Sequence, residues 1–128
     1  MDKSLPTLFG KRIRLLRESL GYTQAKIGDA IGKTNFAINR IEMGNRGSMA
    51  RTETIQQFVE LLGVPLDWLM SEEDNLDSEE TKTIVQGAGI RANIYMALLS
   101  AGINRRTLPT LAADLQKLIE TIRDSQAV

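Results

Sequence analysis

The stretch Thr23-Gln24-Ala25-Lys26-Ile27-Gly28-Asp29-Ala30-Ile31-Gly32-Lys33-Thr34-Asn35-Phe36-Ala37-Ile38-Asn39-Arg40-Ile41-Glu42-Met43-Gly44 decides the fold. In its first part Ala25, Ile27, Ala30 and Ile31 follow helical spacing, with Thr23 as N-cap and Gly32 as terminator. Gly32, Lys33 and Thr34 leave room for only a short turn, after which Thr34 caps a second helix opening at Asn35. Ile38 and Ile41 point one way from that helix, Asn35, Phe36, Asn39 and Arg40 occupy its other side, and Gly44 stops it. Two helices across a glycine-containing turn, the second with one apolar and one polar face, form a helix-turn-helix pattern. Spacing of this kind alone fits any helical hairpin, so the residues around it must carry the argument further.

Upstream, Leu8, Ile13, Leu16 and Leu20 recur at helical spacing between a capping Thr7 and a terminating Gly21. Downstream, a polar loop from Asn45 to Ala50 precedes a helix with the stripe Ile55, Phe58, Val59 and Leu62, ended by Gly63. Pro65 is expected at the N1 position of a short fifth helix carrying Leu66, Trp68 and Leu69. No segment alternates with the period of a strand. Ser71 to Thr83 is acidic and aperiodic and reads as a linker. Ile84, Ile90, Ile94, Ala97, Leu98 and Ala101 suggest a sixth helix, weakened at its start by Gly87 and Gly89 and closed by Gly102. Leu108, Leu111, Leu115, Leu118 and Ile122 are spaced 3, 4, 3 and 4 apart, the pattern of a helix packing on another helix of the same chain or of a second copy. The expected fold is all-α, with a five-helix domain over residues 1–70, an acidic linker over 71–83, and a helical oligomerisation or partner-binding segment over 84–128.

Composition narrows the function classes. The 128 residues include no His and no Cys, which excludes zinc fingers, thiol or imidazole catalysis, disulfides and the usual nitrogen and sulfur metal sites; no cofactor is expected. With 42% hydrophobic and 25% charged residues the chain is globular, and 5% aromatic content implies a mostly aliphatic core. No apolar run reaches the roughly 18 residues of a membrane span, and the N-terminal MDKSLPTLFG lacks a secretory core. A cytoplasmic location with no membrane partner is expected. The formal charge is zero, from 16 basic and 16 acidic residues, but the balance is a cancellation. Residues 1–51 hold ten basic residues against four acids, a net of +6, whereas residues 71–83 hold six acids against Lys82, a net of −5. A basic head suits a polyanion.

Four landmarks in order, Gly21-Tyr22-Thr23-Gln24, Ala30-Ile31-Gly32, Ile38-Asn39-Arg40-Ile41-Glu42-Met43-Gly44 and Leu62-Gly63-Val64-Pro65-Leu66-Asp67-Trp68-Leu69, resemble the lambda-repressor and Cro-like (xenobiotic-response-element type) helix-turn-helix family over Leu8 to Met70. The resemblance implies a small five-helix domain that binds operator DNA as a dimer, with the helix Asn35 to Met43 in the major groove. On that reading Asn35, Phe36, Asn39 and Arg40 meet bases. Asparagine amides suit adenine, Arg40 suits guanine O6 and N7, and Phe36 suits a thymine methyl. An alternative for Phe36 is to cover a neighbouring helix. Phosphate contacts fall to Gln24, Lys33, Asn45, Arg46 and Arg51, with Lys11 and Lys26 as secondary candidates. The family pattern further implies that Gln24 braces the first recognition residue and that Arg17 pairs with Glu42 as scaffold. Two departures stand out: Gly28 replaces the usual alanine, and the loop after Gly44 lacks the usual proline and is longer.

Ala88-Gly89 and Ala101-Gly102 look like the cleavage dipeptide of self-cleaving repressors, yet too few residues follow to build the β-rich peptidase domain. The layout looks more like small repressors with a C-terminal helical hook, in which Leu108, Leu111, Leu115, Leu118 and Ile122 would carry oligomerisation. The expected function is a sequence-specific double-stranded DNA-binding regulator, a repressor, acting as a homodimer or higher homo-oligomer on a palindromic operator in the nucleoid. The alternative is an antitoxin-type autoregulator whose C-terminal helices bind a partner protein; a protein antagonist is a further candidate partner. No phosphate loop, paired-carboxylate motif or nucleophile elbow is present, so no enzyme is expected.

Overall fold

Threonine and glycine punctuate the first half of the chain. In a computed structural model describing residues 7–44 and 51–126, Thr7, Thr23 and Thr34 each accept a hydrogen bond at 3.1 Å from the backbone N–H three residues on, of Gly10, Lys26 and Ala37 respectively. These caps satisfy amides that a helix start leaves without partners. They open α1 (Leu8–Leu20), α2 (Gln24–Ile31) and α3 (Asn35–Met43). Gly21 and Gly32 close the first two in the left-handed region, at φ 74° and 71°. Gly44 differs. It is extended, at φ −72° and ψ 153°, and its carbonyl accepts from Thr7 N at 3.1 Å, tying the end of α3 to the start of α1.

After residues 45–50, which lie outside the described residues, come α4 (Thr52–Leu62), α5 (Leu66–Leu69), α6 (Glu79–Ser100) and α7 (Leu108–Gln126). The described residues contain no strand, and no helix among them is long and apolar enough to cross a membrane. Pro65 takes the N-cap of α5, at φ −64° and ψ 133°, one place before the expected N1. The proline ring fixes φ but leaves ψ free for either position.

The acidic stretch 71–83 was expected as a linker, but it is helical from Glu79 onward and fastened before that. Ser78 caps α6 by accepting from Thr81 N, and Glu79 and Glu80 lie in the first turn, where carboxylates suit the positive end of the helix dipole. Acidic clustering here marks a helix start. Thr81 is buried; its hydroxyl donates to Asn75 O at 2.8 Å and accepts from Trp68 Nε1 at 3.1 Å. Arg12, fully buried in α1, lies 5.5 Å from the Trp68 ring centroid and donates to Ser71 O, Glu73 O and Asn75 Oδ1. Burial pushes its guanidinium below the usual arginine range, with Asp74 opposing.

One apolar cluster runs through the molecule. It joins Phe9, Ile13, Leu16, Ile27, Ile38, Phe58, Leu61 and Trp68 of the first five helices to Ala88, Ala92, Tyr95, Leu108 and Ala112 of the last two. Aliphatic side chains dominate it, but Phe9 and Phe58 meet edge to face with centroids 6.3 Å apart. The buried line of α6 is Thr81, Ala88, Ala92 and Tyr95, not the isoleucine stripe expected; Ile84, Ile90 and Ile94 are half-buried. The reason is steric. Helix α6 packs on α1, α4 and α7, and small residues permit that many close neighbours. At Gly89 an added Cβ would come into ordinary van der Waals contact with the Leu20 side chain, at 3.4 Å.

Arginines complete the attachment of α6 and α7. Arg91 bonds Gln116 Oε1 at 2.6 Å and Glu60 O at 3.1 Å. Arg105, between α6 and α7, donates to Ala30 O at 2.7 Å and Asp29 O at 3.1 Å. It brings a cation to the C-terminal end of α2, which has no basic residue in its own last turn. Tyr22, just before the start of α2, donates from its hydroxyl to Asn93 Oδ1 at 2.6 Å.

Along α7, Leu108 and Ala112 are buried and Leu111 and Leu115 half-buried, whereas Leu118, Ile119 and Ile122 are 54%, 37% and 47% exposed. The heptad stripe starts inside the core and emerges onto the surface.

Candidate nucleic-acid interface

The second helix of the motif, α3, owes its two faces to its register. Ile38 and Ile41 are buried against the core, and Glu42 joins them at 1% exposure. Asn35, Phe36, Asn39 and Arg40 are all exposed. Phe36 is 76% exposed, so it does not cover a neighbouring helix. The exposed face therefore sets a phenyl ring beside two amides and a guanidinium.

Close backbone contacts set the tilt of this helix. A Cβ built at Gly28 would lie 2.5 Å from Lys33 O, and the Lys33 amide donates to Gly28 O at 2.8 Å. The turn therefore closes on α2 more tightly than an alanine at this position would allow. Gly10, which the sequence reading did not single out, is tighter still: its Cβ would stand 2.5 Å from Ile41 O and 2.7 Å from Glu42 O. The first turn of α1 thus rests directly on the last turn of α3.

Arg17 and Glu42 form a two-pronged pair, Nε to Oε2 at 2.7 Å and Nη2 to Oε1 at 2.9 Å, while Arg17 Nη1 also reaches Tyr22 O at 2.9 Å. The hydrogen bond to Glu42 raises the Arg17 pKa above the ordinary arginine value, against the opposing effect of burial. Gln24, opening α2, donates to Glu42 Oε1 at 3.2 Å and to Asn39 Oδ1 at 3.3 Å. Here the geometry corrects an expectation. Gln24 braces Asn39, one turn into α3, rather than Asn35 at its start, because the buried Glu42 draws its amide toward the middle of the helix.

Among the other candidates, Lys33, Arg51, Lys11 and Lys26 are exposed, with Arg51 at the N-cap of α4. Asn45 and Arg46 lie outside the described residues. The basic excess of residues 1–51 is not all available to a ligand. Arg12 is buried, Arg17 is spent on Glu42, and Arg14 Nε pairs with Glu18 at 2.6 Å, a contact that holds the Glu18 carboxyl below its usual range. No group of acidic side chains among the described residues is arranged to hold a metal ion.

What remains is a convex helix face carrying amide, guanidinium and aromatic groups, flanked by lysines and backed by a rigid ion pair. An α-helix fits the major groove of B-DNA, and these groups match what base edges offer.

Comparison with known proteins agrees with this geometry. Residues 13–69 match a family model described as helix-turn-helix. No curated protein and no solved structure matches the chain significantly. The matched segment begins within α1 and ends with α5, so it takes in the motif and the helices that pack on it. Residues 13–69 thus form a helix-turn-helix domain of the lambda-repressor/Cro-like type, the kind that serves DNA-binding transcription regulators.

Proposed function

We propose that the protein is a transcriptional repressor that binds an imperfect palindromic operator as a homodimer, with α3 in the major groove. The observation that carries this reading is the exposed face of α3, above all Phe36 beside Asn35, Asn39 and Arg40. Those four side chains meet base edges. Lys33 and Arg51 hold phosphates with their side chains and Gln24, at the start of α2, with its backbone N–H, together with Asn45 and Arg46 just beyond Gly44. Two such domains related by a twofold axis set their recognition helices about 34 Å apart, one turn of DNA.

Selection from a random duplex pool tests the reading: the full chain should enrich an inverted repeat, and enrichment of nothing would overturn it. Asn35→Ala with Asn39→Ala should weaken binding to the selected site by roughly tenfold or more per lost bidentate contact, about 1–3 kcal/mol each. The thermal transition should stay unchanged, because both side chains are exposed. Affinity for any duplex should also fall with salt, by roughly 0.9 log units per log unit for each phosphate neutralised.

The surface supporting the dimer is the end of α7. Leu118, Ile119 and Ile122 continue the Leu108, Leu111 and Leu115 register outward, and a second copy supplies an identical stripe. Removing residues beyond 83 would not test this, since Ala88, Ala92, Tyr95 and Leu108 belong to the shared core. Leu118→Glu with Ile122→Glu should turn a dimer into a folded monomer in sedimentation equilibrium. The same exposed stripe supports the second reading, an autoregulator whose α7 meets a different protein. Wild-type protein that is monomeric at tens of micromolar, and co-purifies with a partner that the double variant releases, would favour it.

A further inference from the structure

We infer that Glu42, acting through Gln24, fixes which way round the amide of Asn39 faces the DNA, and thereby commits Asn39 to adenine on one strand. The inference rests on the proposed docking of α3 in the major groove and adds to it a specificity device that touches no base.

The chain of reasoning starts at the buried end. The two hydrogen bonds from Arg17, at 2.7 and 2.9 Å, fall one on each oxygen of the Glu42 carboxylate, and a carboxylate paired in this way only accepts. A group facing Glu42 Oε1 must therefore donate. Gln24 stands 3.2 Å from that oxygen, so its amide presents Nε2 and cannot present its oxygen. The other hydrogen of Nε2 is then available to Asn39, whose Oδ1 lies 3.3 Å away. Asn39 answers a donor with its oxygen, and its Nδ2 takes the opposite side. The polarity of an exposed amide is thus dictated from a carboxylate that is 1% exposed.

That polarity matters because the two ends of an asparagine side chain have the same shape, and a half-turn exchanges donor and acceptor. In the major groove adenine sets a donor, N6, next to an acceptor, N7. Asparagine satisfies both only when its oxygen meets N6 and its nitrogen meets N7. Oδ1 accepts two hydrogen bonds, so the bond from Gln24 leaves one position for N6. A reversed amide would set NH2 against N6 and oxygen against N7 and lose both bonds. Gln24 and Glu42 are positioning residues in this scheme, and Asn39 is the reader.

The test is selection from a random duplex pool with the full chain, comparing wild type, Asn39→Ala, Gln24→Ala and Glu42→Gln. Asn39→Ala marks the base pair that Asn39 reads, where the wild type should prefer adenine. Gln24→Ala and Glu42→Gln should relax that same base pair by roughly tenfold, leaving preferences elsewhere in the site intact. Gln24→Ala keeps the Arg17 pair with Glu42, so it tests the inference even where Glu42→Gln disturbs folding. Retention of the full adenine preference by Gln24→Ala would overturn the inference. So would a uniform loss at every position, which would mark a merely structural role, or a failure of Asn39→Ala to relax any base pair. No enrichment by the wild type would instead strike the DNA-binding reading itself.

Discussion

Gly10→Ala should destabilise the protein by about 2 kcal/mol, enough to lower the thermal midpoint by roughly 5–10 °C for a chain of this size. The added methyl would meet two main-chain oxygens, Ile41 O at 2.5 Å and Glu42 O at 2.7 Å, and backbone atoms have no rotamer to change. Helix α1 must then retreat from α3, and the retreat loosens the Arg17 pair with Glu42, which spans the same two helices. Alanine's better helix propensity returns at most about 1 kcal/mol of the cost. A control with the opposite sign lies in α6. At Gly87 no atom stands within 4 Å of a built Cβ, so Gly87→Ala should raise the midpoint through propensity alone. Differential scanning calorimetry of the two variants reads both signs. Equal or inverted shifts would mean that the crossing of α1 over α3 is looser than described. Binding to the selected operator should fall for Gly10→Ala as well, since the tilt of α3 depends on that crossing.

The contrast between these glycines shows what the sequence could and could not disclose. Helix ends were legible wherever the deciding interaction is local: Thr7, Thr23 and Thr34 cap within three residues, and Gly21, Gly32 and Gly63 turn left-handed just past a helix. The polar and apolar faces of α3 followed from periodicity for the same reason. What depends on partners distant in sequence was not legible. Gly10 looks like any glycine near a helix start until Ile41 and Glu42 are brought against it. Arg12 counts toward a basic head in the sequence, yet it serves the segment 71–75, some sixty residues on. In α6 the isoleucines drew attention by size, whereas the space available favoured Ala88 and Ala92. Gln24 meets Asn39 for the same kind of reason, since its anchor, Glu42, reaches it only through the packing of α2 on α3.

Arg12→Ala should carry the largest cost of any single change considered, about 3–5 kcal/mol. The side chain is fully buried, and its guanidinium is the shared donor for Ser71 O, Glu73 O and Asn75 Oδ1. Truncation would leave these acceptors without their donor and open a void beside Trp68, whose ring stacks near the guanidinium and whose Nε1 is engaged by Thr81. Loss of charge alone should not explain the effect. Exchanging a buried ion for an apolar side chain of similar volume is often neutral when the partner ion leaves too. Here the partners are mainly carbonyls, which remain. Arg12→Met should therefore fall between wild type and Arg12→Ala, since it fills the space under Trp68 without feeding the acceptors. Arg12→Lys should not rescue, because a single ammonium on a flexible stem lacks the planar fork that reaches separate acceptors. Hydrogen exchange would separate this from a general loss of stability. The amides of α6 near Ser78 and Thr81 should lose protection first, because the segment held by Arg12 leads directly into that N-cap. If Arg12→Met melts with the wild type and protects α6 equally, the segment 71–75 is held by packing and not by the guanidinium.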